Sequence, residues 1–268
     1  MIDLHSHILP GLDDGPSNID FSVAMARAAV EAGTQMMVAT PHIRSDFNVR
    51  VEEIEPRVDE LNARLEAEQL PLRVVPGGEV GWASVPDLDA VTLERVALGS
   101  GSYVLLESPY GRKPVDVEAA VEVLAERGFR SVLAHPERCP LFERDIERLA
   151  RMVDGGALCS ITAGSMSGRF GATVRRFTIE LLRRGLVHDV ASDAHDHLHR
   201  PPGLMTGFEE LEGELPGITA QCPWYTVTAP VAILAGNPLP PMPDRDGPRS
   251  SRLSRFLRRG GGARLPSS

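Results

Sequence analysis

Residues 1–7 read Met-Ile-Asp-Leu-His-Ser-His, and the first four form a short run that favours a β-strand. His5 and His7 follow this run directly. Because side chains alternate between the two faces of a strand, both imidazoles are expected on the same face. The stretch therefore predicts a strand whose end carries two side chains able to bind a metal ion.

Six further runs of this kind follow, so the sequence predicts seven strands: Met1–Leu4, Met36–Ala39, Leu72–Val75, Tyr103–Leu106, Ser131–Ala134, Leu158–Ile161 and Val187–Ala191. Amphipathic stretches between them favour helices at Phe21–Ala32, Val51–Leu65, Val115–Arg127, Leu141–Val153 and Val174–Arg184. Asp20 is the expected cap of the first helix, and Gly33 is its expected end. Strand–helix alternation predicts an α/β fold with a parallel sheet, and seven strands are nearly enough to close a barrel.

Nearly every predicted strand ends in a side chain that can bind a metal. The strand-end motifs are His5-Ser6-His7, Thr40-Pro41-His42, Gly77-Gly78-Glu79, Glu107-Ser108-Pro109, His135-Pro136-Glu137-Arg138 and Asp193-Ala194-His195. In a parallel barrel the carboxyl ends of the strands meet at one mouth, where active sites lie. A single histidine at a strand end is usually only a polar terminal residue, but five histidines at four strand ends, with Glu and Asp, indicate a metal centre. Imidazole and carboxylate suit Zn, Mn, Fe or Ni, and the lack of cysteine disfavours a purely structural zinc site.

The net charge of −9 is unevenly distributed along the 268 residues. Residues 244–268 hold seven Arg and two Asp, a net of +5, so the remainder is more acidic than the total indicates. An acidic body argues against broad nucleic-acid binding and is compatible with carboxylate metal ligands. Prolines from Pro238 onward cannot continue a helix, and an Arg-, Gly- and Ser-rich segment follows them. We therefore expect a folded body over residues 1–240 and a flexible tail over residues 241–268.

The expected location is cytoplasmic. The N-terminus lacks the basic and apolar segments of a signal peptide, and no apolar run approaches the roughly 20 residues of a membrane helix. The three cysteines, Cys139, Cys159 and Cys222, are odd in number and far apart, as in a reduced protein. Two interpretations of the cationic tail stay open, a solvated end or a weak contact with an acidic partner or an anionic membrane surface.

The strand-end residues resemble the polymerase and histidinol phosphatase (PHP) family, and within it the bacterial tyrosine phosphatases of capsule and exopolysaccharide clusters. The matching segments are residues 2–16, with the His-x-His and Asp-Asp-Gly motifs, and residues 38–42, 78–79, 105–107, 134–138 and 191–195. The resemblance implies a distorted seven-stranded (β/α)7 TIM-like barrel of the PHP type over residues 1–240. It also implies three divalent metal ions, often manganese, with iron or zinc as alternatives.

The resemblance also implies the ligands of each ion. The first ion takes His5, His7, Glu79 and Asp193; the second shares Glu79 and adds Glu107 and His135; the third takes Asp14, His42 and His195. Alignment of the motif favours Asp14 over Asp13. Arg138 and Arg200 are expected to bind phosphate, with Arg44 as a further candidate, although Arg200 could instead form a salt bridge within its loop.

The activity that the resemblance implies is metal-dependent hydrolysis of a phosphotyrosine protein, such as the phosphorylated tail of a bacterial tyrosine autokinase in capsule or exopolysaccharide synthesis. A metal-activated water would attack phosphorus in line, and Arg138 and Arg200 would stabilise the phosphoryl oxygens. Neither Cys139 nor Cys159 begins the Cys-x5-Arg loop of cysteine phosphatases. Three alternatives remain: a histidinol-phosphatase or other small-phosphoester hydrolase, a metal-dependent nuclease, and a non-catalytic metal-binding protein. The Leu-Pro-Gly-Leu-Asp-Asp-Gly segment favours the tyrosine type, and the acidic body counts against a nuclease.

Overall fold

The computed structural model describes residues 1–110 and 116–244. Within these ranges all paired strands run parallel, which confirms the predicted α/β class. The strands are β1 (Ile2–Ser6), β2 (Met36–Ala39), β3 (His42–Ile43), β4 (Arg73–Pro76), β5 (Glu79–Gly81), β6 (Tyr103–Glu107), β7 (Arg130–Ala134), β8 (Leu158–Thr162) and β9 (Asp189–Ala191).

Helices connect the strands and also follow the last one. They are α1 (Ile19–Glu31), α2 (Ile54–Ala67), α3 (Ala90–Val96), α4 (Val117–Glu126), α5 (Pro140–Arg144), α6 (Ile146–Asp154), α7 (Ala163–Met166), α8 (Ala172–Arg183), α9 (Met205–Leu211), α10 (Ile218–Pro223) and α11 (Ala229–Leu234). The helix predicted over Leu141–Val153 is divided at Asp145, whose Oδ1 accepts a hydrogen bond from Arg148 N at 3.1 Å and caps α6. Val115, the first residue of another predicted helix, lies outside the described residues.

The cap predicted for the first helix is wrong by two residues. Asn18 caps α1, because its Oδ1 accepts hydrogen bonds from Asp20 N and Phe21 N, both at 3.1 Å. Asp20 lies inside the first turn and forms an ion pair with Arg64 at 2.9 Å. Gly33, with φ of +85°, follows the helix as predicted, since a glycine adopts this conformation without strain.

Among the described residues, the strands form two sheets, with orders β1-β2-β4 and β3-β5-β6-β7-β8-β9. The two strands that the sequence did not predict, β3 and β5, follow β2 and β4 after a short break. Pro41 makes the first break because it has no N–H for the ladder. At the second break an added Cβ on Gly77 would lie 2.7 Å from Val38 Cγ1, so only glycine fits there. After the breaks His42 and Glu79 pair directly, which places two candidate ligands side by side.

The end of β1 lies beside the segment that follows β9. Ser6 and Ala194 form an isolated parallel bridge. Asp193 N donates to His5 O at 2.9 Å, and His7 N donates to Ala194 O at 2.8 Å. The first and last strand ends are therefore held together by backbone hydrogen bonds.

The core consists of two clusters of buried side chains, called inner and outer here by whether they lie between the two sheets or beneath the helices. The inner cluster brings Leu4 and Val38 of one sheet against Leu105 and Val132 of the other. The larger outer cluster packs the helices against the opposite faces of the strands. Both faces of the strands are therefore mostly apolar, with Asp3, Ser131 and Ser160 as buried polar residues within them.

The chain after α11 packs back along the helices that precede it. Trp224 Nε1 donates to Pro240 O at 3.2 Å, and Gln221 Nε2 donates to Pro243 O at 2.5 Å. Of the predicted tail, residues 245–268 lie outside the described residues. Nowhere in ranges 1–110 and 116–244 is a helix both long and apolar enough to span a membrane.

Candidate metal centre

The end of β1 presents two buried imidazoles to one mouth of the fold. His5 and His7 are each 1% exposed, and their Nε2 atoms lie 3.3 Å apart. Ser6, between them, turns away and donates from Oγ to Val38 O at 2.8 Å. The alternation predicted from the sequence therefore holds here, although β1 extends to Ser6.

A first cluster of potential ligands surrounds the carboxylate of Glu79 at the start of β5. Glu79 Oε2 lies 3.3 Å from His5 Nε2 and 3.3 Å from His7 Nε2. Asp193 Oδ1, from the loop after β9, lies 3.5 Å from each of these nitrogens. The fold thus brings together the four residues that the resemblance assigns to the first ion.

Two more imidazoles approach the same carboxylate. His135 Nε2 lies 2.7 Å from Glu79 Oε1, and His42 Nδ1 lies 3.0 Å from Glu79 Oε2. The potential ligand atoms form two overlapping groups, each within 4.8 Å: His5, Glu79 and His135, and His42, Glu79 and Glu107. The residues implied for the second ion, Glu79, Glu107 and His135, are therefore divided between two groups that share Glu79.

A third group forms around Asp14, in the loop after β1. Asp14 Oδ1 lies 3.3 Å from His195 Nε2, 3.6 Å from His42 Nε2 and 3.8 Å from His7 Nδ1. The side chain of Asp14 is 46% exposed, so this group lies at the solvent side of the centre. It contains all three residues implied for the third ion.

Asp13 has a different position from its neighbour Asp14. Its Oδ2 accepts hydrogen bonds from His42 N at 3.0 Å and lies 2.7 Å from His7 Nδ1, while its Oδ1 accepts from Gly15 N at 3.0 Å. The Asp13 carboxylate thus orients the His7 ring and the backbone at β3 through these contacts. This arrangement is typical of a carboxylate that fixes the orientation of a metal-binding histidine.

Two of the candidate ligands have a strained backbone. His135 has φ of +35° and Asp193 has φ of +52°. In the described ranges, Gln69 is the one other non-glycine residue with positive φ. Such conformations cost of order 1–3 kcal/mol and cluster at functional sites. Here both strained residues direct a side chain toward the same centre.

The buried charges at the centre influence one another. Burial and the neighbouring Glu79 raise the pKa of Glu107 to about 7. Burial disfavours ionisation of Glu79 as well, but His5 and the hydrogen bond from His135 outweigh it and hold the Glu79 pKa well below its usual range. Burial and the nearby Arg138 lower the pKa of His135 to about 4, so its imidazole is neutral and able to bind a metal. Crowded carboxylates beside the neutral His135 imidazole favour the binding of cations.

Both predicted phosphate-binding arginines lie at the mouth, and both contact Asp193. Arg138 Nη2 and Arg200 Nη2 donate to Asp193 Oδ2, the latter at 2.7 Å, whereas Asp193 Oδ1 faces the histidines. The Arg138 guanidinium also stacks 4.5 Å over the Phe170 ring. Arg44 donates to Glu107 Oε1 at 2.5 Å. All three guanidinium groups line a cavity of about 240 Å³ above the clustered ligands.

Two aromatic residues of this cavity were not identified from the sequence. Tyr110 stacks on the His135 ring with centroids 5.3 Å apart, and Phe47 stacks on the His42 ring at 4.6 Å. Tyr110 follows the Glu107-Ser108-Pro109 motif directly, so its position in the sequence could have indicated it. Glu137, from the strand-end motif of His135, is buried and accepts hydrogen bonds from Thr162 N at 2.9 Å and Ser165 Oγ at 2.7 Å. It therefore anchors the start of α7 rather than facing the cavity.

The model of one protein family, described as "Capsular polysaccharide synthesis, CpsB/CapC", matches residues 1–217. The chain belongs to the CpsB/CapC family. One relative, the tyrosine-protein phosphatase YwqE of Bacillus subtilis, is 35% identical over 221 residues, which cover 81% of this chain and 87% of YwqE. Another, the tyrosine-protein phosphatase CpsB of Streptococcus pneumoniae, is 26% identical over 216 residues, covering 78% of this chain and 88% of CpsB.

Solved structures place this CpsB/CapC protein among known folds. A chain from the crystal structures of YwqE from Bacillus subtilis and CpsB from Streptococcus pneumoniae, described as metal-dependent tyrosine phosphatases, matches with a TM-score of 0.79. It is 33% identical, and the match covers 91% of this chain and 99% of the other. A lactonase from Listeria monocytogenes matches with a TM-score of 0.57 at 13% identity, covering 88% and 95% of the two chains, which shows a shared fold alone.

Proposed function

We propose that this CpsB/CapC protein is a metal-dependent protein-tyrosine phosphatase. The observation that carries the proposal is the Glu79 carboxylate, which has four imidazoles, those of His5, His7, His42 and His135, within 3.3 Å. Two arginines lie beside this cluster at the same mouth. Relatives that carry the name tyrosine-protein phosphatase support the reaction.

The residues fit three divalent ions. Glu79 Oε2 and His42 Nδ1 are buried without a hydrogen-bond partner, as expected of atoms placed to bind cations. The proposed ligands are His5, His7, Glu79 and Asp193 for one ion, Glu79, Glu107 and His135 for the second, and Asp14, His42 and His195 for the third. Imidazole and carboxylate ligands suit manganese, our preferred ion, and also iron or zinc.

Bound divalent ions would lower the pKa of a water molecule toward neutrality and neutralise charge on the phosphoryl group. Arg138 and Arg200 contribute fixed positive charge at the mouth, and their planar forks match phosphate oxygens. Packing against Phe170 holds Arg138 in place before substrate arrives. The rings of Phe47 and Tyr110 at the cavity favour an aryl phosphate over an alkyl phosphate. A phenolate also leaves without strong general-acid assistance.

The proposal includes the architecture around the site. We infer a distorted seven-stranded TIM-like barrel over residues 1–240. In this barrel β2 and β3 together count as one interrupted strand, and β4 and β5 together count as another. The hydrogen bonds between the end of β1 and residues 193–194 support this closure. The remaining residues, 241–268, form the Arg-rich tail.

The proposed partner is a phosphotyrosine protein, namely the phosphorylated tail of a tyrosine kinase in capsule or exopolysaccharide synthesis, rather than a nucleic acid. We place the reaction in the cytoplasm, where the free and buried thiols of Cys139, Cys159 and Cys222 would remain reduced. The family description supports the capsule pathway.

One experiment tests the substrate class directly. Hydrolysis of a phosphotyrosine peptide, histidinol phosphate and single-stranded DNA is measured side by side with Mn²⁺. The phosphotyrosine peptide should be preferred, and exhaustive chelation should abolish its hydrolysis until Mn²⁺ is restored. Full activity of protein shown to be free of metal, or a preference for either other substrate, would contradict the proposal.

The tail has a separate test. Each cationic residue near an anionic bilayer contributes about 1 kcal/mol, so the seven arginines could support weak, salt-sensitive binding. Truncation after Pro243 should leave peptide hydrolysis intact, because all proposed ligands precede it. Co-sedimentation with anionic liposomes at low salt should fall on truncation if the tail docks on membranes, and equal sedimentation of both chains would exclude such docking.

A further inference from the structure

Two further cavities adjoin the metal cavity, the first beside the ends of β8 and β9 and the second beside the ends of β3 and β6. The first, which we call the Phe170 pocket, has a volume of about 230 Å³ and is lined by Gly164, Phe170, Gly203 and Thr206. The second, the Trp82 pocket, measures about 180 Å³ and is lined by Ser45, Trp82 and Pro109.

Each pocket shares wall residues with the metal cavity. Asp193 and Arg200 line both the metal cavity and the Phe170 pocket. Arg44, Glu107 and Tyr110 line both the metal cavity and the Trp82 pocket. The shared walls place the three spaces next to one another, and we call this row, with the metal cavity between the other two, the trough. A small phosphoester would fill only the central part.

We propose that this trough binds an extended phosphopeptide, with a side chain on each side of the phosphotyrosine seated in a flanking pocket. The inference rests on the proposed phosphatase activity and adds the form in which the substrate binds. Side chains of an extended chain alternate in direction, so residues two positions away point the same way as the phosphotyrosine. Residues one position away point toward solvent. The two pockets therefore select residues at the second position on either side.

The walls of the Phe170 pocket are mixed, with Ser167, Thr206 and Glu210 on the polar side and Phe170 on the apolar side. Ala163, Gly164 and Gly203 contribute no bulk, and Phe170 provides an aromatic surface. Of the two cationic groups in this pocket, Arg200 contacts Asp193 and Arg169 donates to His199 O. A leucine would bury its side chain here without displacing an ion pair, whereas alanine would leave most of the pocket unfilled.

Gly203 offers a way to fill the pocket from its own wall. A Cβ added at Gly203 meets no atom within 4 Å, and its φ lies outside the left-handed region. Gly203→Leu should therefore fold and occupy the space that a peptide side chain would use. Gly213 is the matched control, because an added Cβ there also meets no atom within 4 Å and Gly213 lines none of the three cavities.

The test uses the full-length, Mn²⁺-loaded protein and a series of phosphotyrosine peptides. Leucine and alanine are compared at each of the two positions on either side, with p-nitrophenyl phosphate as a reference substrate. For the wild type, leucine two residues from the phosphotyrosine should raise kcat/KM about tenfold over alanine. Leucine directly next to the phosphotyrosine should have little effect. Gly203→Leu should remove this preference on one side of the phosphotyrosine only, and Gly213→Leu should keep it.

Three results would overturn the inference. The wild type could discriminate at neither second position, Gly203→Leu could keep the full preference, or it could lose the preference equally on both sides. If Gly203→Leu does not fold, the peptide series on the wild type is by itself the test of the inference. Loss of the proposed function has a separate signature, since the loaded wild type would then hydrolyse neither the peptides nor p-nitrophenyl phosphate, and the trough assignment would fall with it.

Discussion

Replacing Glu79 with glutamine perturbs the centre at the residue that its groups share. The side chain is fully buried, and its two oxygens lie between 2.7 and 3.3 Å from four imidazoles. Glutamine preserves the shape but removes the negative charge and puts an NH2 group, which cannot bind a cation, in place of one oxygen. Two of the three proposed ions would lose a ligand in a single step.

The expected magnitude follows from the burial of this carboxylate. Removing one partner of a buried charge pair costs about 3–5 kcal/mol. Since each 1.4 kcal/mol is tenfold in an equilibrium constant, affinity for the shared ions should fall at least about 100-fold.

Metal content and activity are measured on the same samples. After dialysis against a weak chelator, Glu79→Gln should retain less metal by mass spectrometry than the wild type. Hydrolysis of a phosphotyrosine peptide should require a much higher Mn²⁺ concentration and reach a lower maximum.

Glu137→Gln is the matched control for this experiment. Glu137 is a buried glutamate close to the centre, but its carboxylate accepts hydrogen bonds from Thr162 and Ser165. The same substitution there should leave metal content unchanged. If Glu79→Gln matches this control in both metal content and Mn²⁺ dependence, a shared carboxylate at the metal centre is refuted.

Three other predictions address the neighbouring residues. Asp14→Asn should lower metal content more than Asp13→Asn, because Asp13 contacts His7 and the backbone at β3 instead; equal losses would contradict the assignment. Arg138→Ala and Arg200→Ala should weaken peptide binding or turnover with metal content intact. Wild-type kinetics in both variants would show that the two arginines only hold the Asp193 carboxylate in position. Burial raises the pKa of Asp189 to about 8, so stability present at acidic pH should be lost as pH rises from about 4 through 8, by about 1.4 kcal/mol per pH unit. Asp189→Asn should therefore flatten the pH dependence of urea unfolding in the metal-free protein, and an unchanged slope would contradict the shift.

The sequence predicted the positions of the long elements because their apolar periodicity is strong. It missed β3 and β5, which are only two and three residues long and follow a proline and two glycines. No periodicity can be detected in so few residues, and their pairing depends on the neighbouring strand. The helix cap moved from Asp20 to Asn18 for a similar reason, since both residue types can cap and backbone conformation selects between them.

Residue identity and spacing were sufficient to nominate eight of the nine candidate ligands, because imidazoles and carboxylates at successive ends of parallel strands must meet at one edge. The ninth, Asp14, was implied only by the family resemblance. Spacing along the chain could not assign the roles of neighbours. Asp13 and Asp14 are adjacent and chemically identical, yet one is turned inward onto His7 and the other faces His195. Glu137 lies two residues from His135 and still points away from the centre. These orientations depend on backbone turns and on contacts between residues distant in sequence, so they are fixed only when the chain folds.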